Sequence, residues 1–282
     1  MLLGVLLAGA ALAQADKPVA ELLPSWARIE ANIAYDQYPE TVLDIYQPSQ
    51  AALDKRPGVL VIHGGGWVGG AKERVVTNFC LPYLEKGFVV CNAEYRLAKA
   101  AKAPAAVTDV LRAAEWFRKN ARRYRVDPKK IIVTGGSAGG HLALMVGLVT
   151  GGANLGPPGK VAAVINWYGI TDVADQLAGP NERKYAVEWL PEQENRFELA
   201  RRLSPMTYVR KGVPAVLTIH GDADPTVPYE HGVRLTKALR DAGADAELIS
   251  VRGGQHGGFT EEQMSGLYRD IFKFLRQRKI IN

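Results

Sequence analysis

Residues 131–142 read Ile131-Ile132-Val133-Thr134-Gly135-Gly136-Ser137-Ala138-Gly139-Gly140-His141-Leu142. A short β-branched run stops at two glycines and a serine, and a pattern rich in Ala, Leu and Met follows at once. This order predicts a strand, a sharp turn and a helix. Residues 135–139 fit G-x-S-x-G, the nucleophile-elbow motif, in the structural context that the motif requires. The small neighbours let the strand and the helix pack closely while the turn raises the Ser137 hydroxyl above the sheet.

The alternative for this stretch is a glycine-rich turn with an incidental serine, or a phosphate loop. The lysine of the Walker motif and the G-x-G-x-x-G spacing are both missing, which disfavours a phosphate loop. Ser137 is therefore the candidate nucleophile, and the rest of the chain must supply a base and an acid.

The composition is that of an ordinary globular protein, with 282 residues and a formal net charge of +6. This length suits a single α/β domain with one large core. The densest basic segment, residues 118–130, carries no interleaved aromatic residues apart from Tyr124, so it indicates a solvated helix face. We therefore expect no nucleic-acid partner.

Residues 1–15 are apolar and end in two A-x-A-like sites, which predicts a secretory signal peptide even though no Lys or Arg follows Met1. A buried N-terminal helix is the alternative, but the stretch shows no polar face. We expect a secreted or periplasmic protein whose residues 16–282 form one domain. No other run reaches the ~20 apolar residues of a membrane helix, so we expect no integral membrane segment after signal removal.

The two cysteines of the chain are Cys80 and Cys91. Export would place them in an oxidising compartment where a disulfide can form, but the sequence does not give the Cα separation that a disulfide needs. A disulfide and two buried free thiols both remain open. Neither cysteine has a second cysteine or a histidine spaced for metal binding, so no metal site is predicted.

Eight strands alternate with helical patterns along the chain, as in an α/β protein. The first two strands predict an antiparallel hairpin at one sheet edge, and the later apolar runs are typical of strands buried on both faces. Residues 171–208 break the rhythm with charges, prolines and isolated aromatics, so we expect a small helical cap insertion that shapes the substrate pocket. The predicted strands are 29–35, 41–46, 58–63, 88–93, 131–134, 161–167, 215–219 and 247–251.

A glycine-rich loop follows the third predicted strand, which ends at His63. Consecutive glycines leave the backbone open to a substrate, as an oxyanion hole requires. Gly65 and Gly66 are the candidate oxyanion donors, completed by the Ala138 amide, and His63 is expected to brace the loop. Trp67 either lines the substrate pocket or packs beneath the loop.

A serine nucleophile needs a base, and the base needs a carboxylate that fixes its tautomer. His256 lies in a glycine-flanked loop after the last strand, and Asp222 and Asp224 follow the strand before it. The order Ser, Asp, His, with each residue after a different strand, matches α/β hydrolases and differs from chymotrypsin and subtilisin. Chemistry alone leaves the choice between the two aspartates nearly even.

Five segments together resemble the esterase/lipase group of α/β hydrolases, related to hormone-sensitive lipase and to bacterial feruloyl and acetyl-xylan esterases. The resemblance implies an eight-stranded, mostly parallel sheet with helices on both faces, a triad of Ser137, Asp224 and His256, and no metal or organic cofactor. It also selects Asp224, because the acid in similar enzymes precedes an x-x-Val-Pro ending. The segments are His63-Gly64-Gly65-Gly66-Trp67, Tyr95-Arg96-Leu97-Ala98, Gly135-Gly136-Ser137-Ala138-Gly139-Gly140, His220-Gly221-Asp222-Ala223-Asp224-Pro225-Thr226-Val227-Pro228 and His256-Gly257.

The resemblance predicts a serine carboxylesterase. The long N-terminal cap of many lipase relatives is missing, which favours small or carbohydrate-linked esters of the acetyl or feruloyl type as substrates. The alternative is an amidase, a formamidase or an exopeptidase-like hydrolase with the same triad. A catalytically inactive binding protein is disfavoured because no triad or oxyanion residue is missing. Trp67, Tyr168 and Trp189 are the candidate pocket residues.

Overall fold

The computed structural model of the chain describes residues 18–49 and 55–282. The predicted signal peptide at residues 1–15 lies outside the described residues. Eight described strands form one sheet: β1 (Ala27–Ala34), β2 (Val42–Pro48), β3 (Arg56–Ile62), β4 (Val89–Ala93), β5 (Val126–Gly136), β6 (Ala163–Trp167), β7 (Ala215–Gly221) and β8 (Ala246–Val251). Their spatial order is β1-β2-β4-β3-β5-β6-β7-β8.

The sheet is mostly parallel, as predicted. β2 runs antiparallel to both of its neighbours, β1 and β4, which confirms the edge hairpin. All other neighbouring strands are parallel. Because parallel strands end at the same edge of a sheet, the loops after β3, β5, β7 and β8 are brought together there.

Helices cover both faces of the sheet and bury two apolar layers, one on each side. The longest helix of the first layer has an apolar face that includes Val107, Leu111 and Phe117, all fully buried. This spacing is the period of an amphipathic helix with one apolar face. The described helices are α1 (Val19–Leu22), α2 (Leu81–Glu85), α3 (Ala105–Lys119), α4 (Ala138–Leu148), α5 (Lys184–Trp189), α6 (Arg196–Arg202), α7 (Glu230–Asp241) and α8 (Glu261–Gln277).

Cys80 and Cys91 are free and fully buried. Cys80 ends a π-helical turn before α2, and Cys91 lies in β4. Burial raises the pKa of both thiols well above the ordinary value. The two side chains therefore act as small apolar core residues. Of the two alternatives, the structure shows two buried free thiols and not a disulfide.

The insertion at residues 171–208 is helical, with α5, α6 and three short 3-10 turns. Its Arg183 side chain donates hydrogen bonds to the carbonyl oxygens of Thr226 and Pro225 at 2.8 and 2.9 Å. These bonds hold the insertion against the loop that follows β7. Among the described residues, no helix combines the length and the apolar character needed to cross a membrane.

Candidate active site

Ser137 occupies the turn between β5 and α4 with φ 59° and ψ −122°. Residues that carry a side chain rarely adopt this conformation. A Cβ added at Gly135 or at Gly139 would lie 2.4 or 2.2 Å from the carbonyl oxygen of Ile62 on β3. Both positions therefore require glycine, because the strand and the helix meet without room for a side chain. The turn has the tight geometry that the motif predicts.

Three side chains from the loops after β5, β7 and β8 are joined by hydrogen bonds. His256 Nε2 lies 2.8 Å from Ser137 Oγ, and its Nδ1 lies 2.7 Å from Asp224 Oδ2. An ionised carboxylate can only accept, so Nδ1 carries the proton and Nε2 accepts the hydrogen bond of the serine hydroxyl. The arrangement places a general base in contact with the nucleophile.

Asp224 is held ionised by its surroundings. Burial of the carboxyl would raise its pKa, but hydrogen bonds from His220, from His256 and from the Thr226 amide hold the pKa well below the ordinary value. Oδ1 accepts from the N–H groups of Thr226 and Val227 at 2.8 and 3.0 Å. Oδ2 accepts the hydrogen bond from His256 Nδ1 and lies 3.2 Å from His220 Nε2. The carboxylate therefore remains an acceptor for the base throughout the neutral pH range.

The structure distinguishes Asp222 from Asp224, between which chemistry alone left the choice of the triad acid nearly even. Asp222 is exposed and accepts a hydrogen bond from the Gly253 N–H at 2.6 Å, so it links two loops away from the base. Sequence analysis did not assign His220 to this site. The signal for it is the position at the end of β7, four residues before Asp224.

The loop after β3 lies beside Ser137 with its backbone exposed to the cavity. Gly65 and Gly66 have φ values of 118° and 60°, in the region that favours glycine. A Cβ on Gly66 would lie 2.7 Å from Tyr185. In residues 18–49 and 55–282, no described hydrogen bond is donated by the N–H groups of Gly65, Gly66 or Ala138. These three amides are therefore available to an oxyanion, and Ala138 adds the positive end of the α4 dipole.

His63 braces this loop, as predicted. Its Nδ1 contacts the Gly64 carbonyl oxygen at 2.7 Å, its Nε2 lies 2.5 Å from Glu94 Oε1, and its ring stacks on Tyr95 at 4.3 Å. Burial would raise the pKa of the Glu94 carboxyl, but its contacts with His63 and the Lys72 amide lower it. Glu94 was missed by sequence analysis, because nothing local marks a carboxylate that acts on a loop from the neighbouring strand end.

A cavity of about 400 Å³ opens at Ser137, with Val75, Phe79, Tyr168 and Tyr185 among its walls. The Tyr168 ring packs edge-on against His256, with 4.9 Å between ring centroids. Burial raises the pKa of Tyr168 to about 12, so its phenol stays protonated. Tyr168, a candidate pocket residue from the sequence, lines this cavity together with Phe79 and Tyr185, which sequence analysis did not single out.

The chain matches the family model described as BD-FAE over residues 43–239, a range that includes Ser137 and Asp224 and most of the sheet. The chain belongs to the BD-FAE family.

Known esterases are similar to this BD-FAE chain. Esterase LipQ of Mycobacterium tuberculosis is 31% identical over 232 residues, which cover 78% of this chain and 54% of LipQ. Esterase LipC of the same organism is 27% identical, covering 80% of this chain and 59% of LipC. The chain thus spans little more than half the length of these two relatives.

Two solved esterase structures are also similar to this chain. The truncated form of a carbohydrate esterase from gut microbiota has a TM-score of 0.79 at 29% identity, covering 90% of this chain and 97% of that chain. The apo form of Thermogutta terrifontis esterase 2 has a TM-score of 0.75 at 25% identity, covering 92% and 97%. The BD-FAE chain is therefore an α/β hydrolase of the esterase/lipase group, as its motifs suggested.

Two of the three predicted pocket residues do not reach the cavity of this BD-FAE member. Trp67 and Trp189 are fully buried, and their rings stack with 4.1 Å between centroids. Trp67 Nε1–H donates to His141 Nδ1 at 3.2 Å. The placement of both tryptophans in the pocket wall is therefore corrected: large apolar rings fill the space beneath the glycine loop instead. For Trp67, the structure agrees with the other alternative, in which the ring packs beneath the loop.

His141 is expected to make the fold sensitive to acid. Its ring is fully buried, and its Nε2 donates to the Leu203 carbonyl oxygen at 2.7 Å. Burial lowers its pKa to about 4, whereas an exposed histidine has a pKa of about 6.5. The unfolded chain therefore binds a proton that the folded chain does not, and stability falls as the pH drops from about 6.5 towards 4. Between pH 7 and pH 4.5 this histidine should cost about 2 kcal/mol of stability.

The His141→Gln variant isolates this effect, because it removes one titrating ring and leaves all others in place. Urea unfolding of both proteins at the two pH values gives the loss of stability for each. We expect the variant to lose about 2 kcal/mol less than the parent protein. Equal losses in both proteins would show that His141 titrates alike in the folded and unfolded states.

Within the part of the chain that the structure describes, no group of three or more His, Cys, Asp or Glu side chains is arranged to hold a metal ion.

Proposed function

We propose that this BD-FAE member is a serine carboxylesterase that hydrolyses small or carbohydrate-linked esters of the acetyl or feruloyl type through an acyl-enzyme. The observation that carries the proposal is the continuous hydrogen-bonded series of Ser137, His256 and Asp224 beside the amides of the glycine loop. The similarity to LipQ supports ester hydrolysis, and the similarity to a carbohydrate esterase from gut microbiota supports a sugar-linked substrate.

The reaction follows from the geometry. Ser137 Oγ attacks the ester carbonyl carbon while His256 Nε2 takes the hydroxyl proton, and Asp224 stabilises the imidazolium that forms. The carbonyl oxygen becomes an oxyanion that accepts hydrogen bonds from Gly65, Gly66 and Ala138. His256 then gives the proton to the leaving alcohol oxygen. A water molecule, activated by the same histidine, hydrolyses the acyl-enzyme and frees the serine.

The cavity at Ser137 supports a small acyl group. Its volume of about 400 Å³ lies near the lower end of the range for ligand pockets. Phe79 and Tyr185 limit the space beside the nucleophile. A short acyl chain or a single aromatic ring matches this space better than a fatty acyl chain.

The test is a series of p-nitrophenyl esters from acetate to decanoate, with Ser137→Ala as the control. We expect turnover of the short esters that the variant lacks, and a fall of about tenfold or more in kcat/KM towards decanoate. Absence of serine-dependent turnover at every chain length would overturn the carboxylesterase and make an amide or formamide the leading substrate.

A further inference from the structure

Tyr168 carries a hydroxyl group at the catalytic cavity that the protein itself does not use. The residue directly follows β6, is half-buried and lines the cavity together with Ser137 and His256. Among the residues that the structure describes, none forms a hydrogen bond with its hydroxyl. The hydroxyl of Tyr185, in the same cavity, donates by contrast to Gln176 Oε1 at 2.8 Å. Tyr168 therefore offers the cavity a hydrogen-bond donor that is still free.

The Tyr168 hydroxyl lies between the residue before the nucleophile and the residue after the base. A Cβ added at Gly136 would lie 3.0 Å from the phenol oxygen, and one added at Gly257 would lie 2.9 Å from it. The ring packs edge-on against His256, with 4.9 Å between centroids. Glycine at both positions thus leaves the phenol close to Ser137 and to His256 at once.

The backbone holds Tyr168 in this place. Its φ of 39° is one that a residue with a side chain rarely adopts, and such conformations persist where surrounding contacts enforce them. The Tyr168 N–H donates to the carbonyl oxygen of Ile219 on β7 at 2.7 Å. The carbonyl oxygen of Trp167, one residue earlier, accepts from the Ser137 N–H at 2.9 Å. The turn after β6 is therefore tied both to β7 and to the nucleophile.

The proposed reaction brings one charged atom to this side of the site. The carbonyl oxygen faces the glycine loop, whereas the leaving alcohol oxygen must lie within reach of His256 Nε2, which gives it the proton. When the bond between the carbonyl carbon and the alcohol oxygen breaks, its electron pair passes to that oxygen. Negative charge develops there until the proton arrives, so a donor aimed at the oxygen lowers the barrier of this step.

We infer that the Tyr168 hydroxyl donates a hydrogen bond to the leaving alcohol oxygen and is thus a further catalytic residue. The inference rests on the proposed esterase function and adds a donor to it. His256 supplies the one proton that is transferred, and the phenol keeps its own, since burial raises the pKa of Tyr168 to about 12. The hydrogen bond matters most for alcohols that are poor leaving groups, because more charge develops on their oxygen before it is protonated.

The test varies the acidity of the leaving alcohol at a constant acetyl group, in the parent protein and in Tyr168→Phe. Ethyl acetate and trifluoroethyl acetate are similar in size, and p-nitrophenol leaves readily as an anion. The kcat/KM value includes the departure of the alcohol. We expect the variant to lose about tenfold or more in kcat/KM for ethyl acetate, less for trifluoroethyl acetate, and less than about threefold for p-nitrophenyl acetate. Equal losses for all three esters, or no loss, would overturn the inference.

Tyr185→Phe is the matched control, because it removes from the same cavity a hydroxyl that is already bonded to Gln176. Whatever its overall rate, we expect the change in kcat/KM to be the same for ethyl acetate and for p-nitrophenyl acetate. A loss in Tyr185→Phe that grows with the pKa of the alcohol as steeply as in Tyr168→Phe would contradict the assignment to Tyr168.

Thermal unfolding tests whether the Tyr168 hydroxyl has a structural role instead. Because the hydroxyl has no partner among the described residues, we expect Tyr168→Phe to unfold at the temperature of the parent protein. A clear loss of stability would show that a protein group uses the hydroxyl and would contradict the inference. Failure of the parent protein to hydrolyse even p-nitrophenyl acetate would instead overturn the esterase function, so the two failures are distinguishable.

Discussion

Replacing Ser137 by alanine or by glycine is expected to lower kcat by about 10⁵-fold or more, because no other group can form the acyl-enzyme. Ser137 is the hydroxyl in contact with His256 Nε2, at 2.8 Å. The glycine loop and the cavity remain in both variants, so a low residual rate from oxyanion stabilisation is expected to persist. The measurement is kcat on a short p-nitrophenyl ester with each purified variant. Retention of more than about one percent of kcat would show that Ser137 is not the nucleophile.

The same two variants should differ in stability. The values φ 59° and ψ −122° at Ser137 correspond to a turn position that glycine occupies readily and other residues occupy with strain. Alanine retains that strain, whereas glycine removes it at some cost in unfolded-state entropy. We expect Ser137→Gly to exceed Ser137→Ala in free energy of unfolding by about 1 kcal/mol. Both variants lose the bond to His256, so that bond does not contribute to the difference. Equal stabilities would show that the strain at the elbow does not exceed the unfolded-state entropy cost of glycine.

Short sequence motifs predicted those parts of the site whose geometry depends only on residues close together in the sequence. The glycines around Ser137 and in the loop at Gly65 and Gly66 require special backbone geometry, and such positions are visible in a sequence. The predicted strands correspond to strands of the sheet because apolar runs mark burial on both faces. β5 is longer than predicted: it begins at Val126, which pairs with Arg56 on β3, and the mostly polar residues 127–130 lie between this pair and the apolar run.

The residues that the sequence did not reveal act across the fold. Glu94 reaches His63 from the neighbouring strand, and Tyr185 reaches the cavity from the insertion. Trp67 follows the catalytic glycines directly, yet its positive φ of 61° accompanies a ring that stacks on Trp189 beneath the loop. Such contacts depend on tertiary packing, which neither periodicity nor motif spacing encodes.

Asp224→Asn is expected to lower kcat about 10⁴-fold while the fold stays intact. Asp224 Oδ1 accepts from the N–H groups of Thr226 and Val227, so the amide oxygen of the asparagine takes that place. Its NH₂ group then faces His256 Nδ1 and can only donate. Nδ1 must become the acceptor, and the ring proton moves to Nε2. Nε2 then has no lone pair for the Ser137 hydroxyl, and the base is blocked in the wrong tautomer.

Asp222→Asn is the matched control, because it removes the same charge from the same loop. Asp222 is exposed and contacts the Gly253 N–H, and an asparagine oxygen can accept that bond equally well. We expect its kcat to change by less than about threefold. Measuring kcat and thermal unfolding for both variants separates the two positions: a large loss in Asp222→Asn with little loss in Asp224→Asn would assign the acid to the other carboxylate. Because net charge changes equally in the two variants, the ratio of their kcat values reports what Asp224 does at His256, where it fixes the tautomer and stabilises the imidazolium, rather than the net charge of the protein.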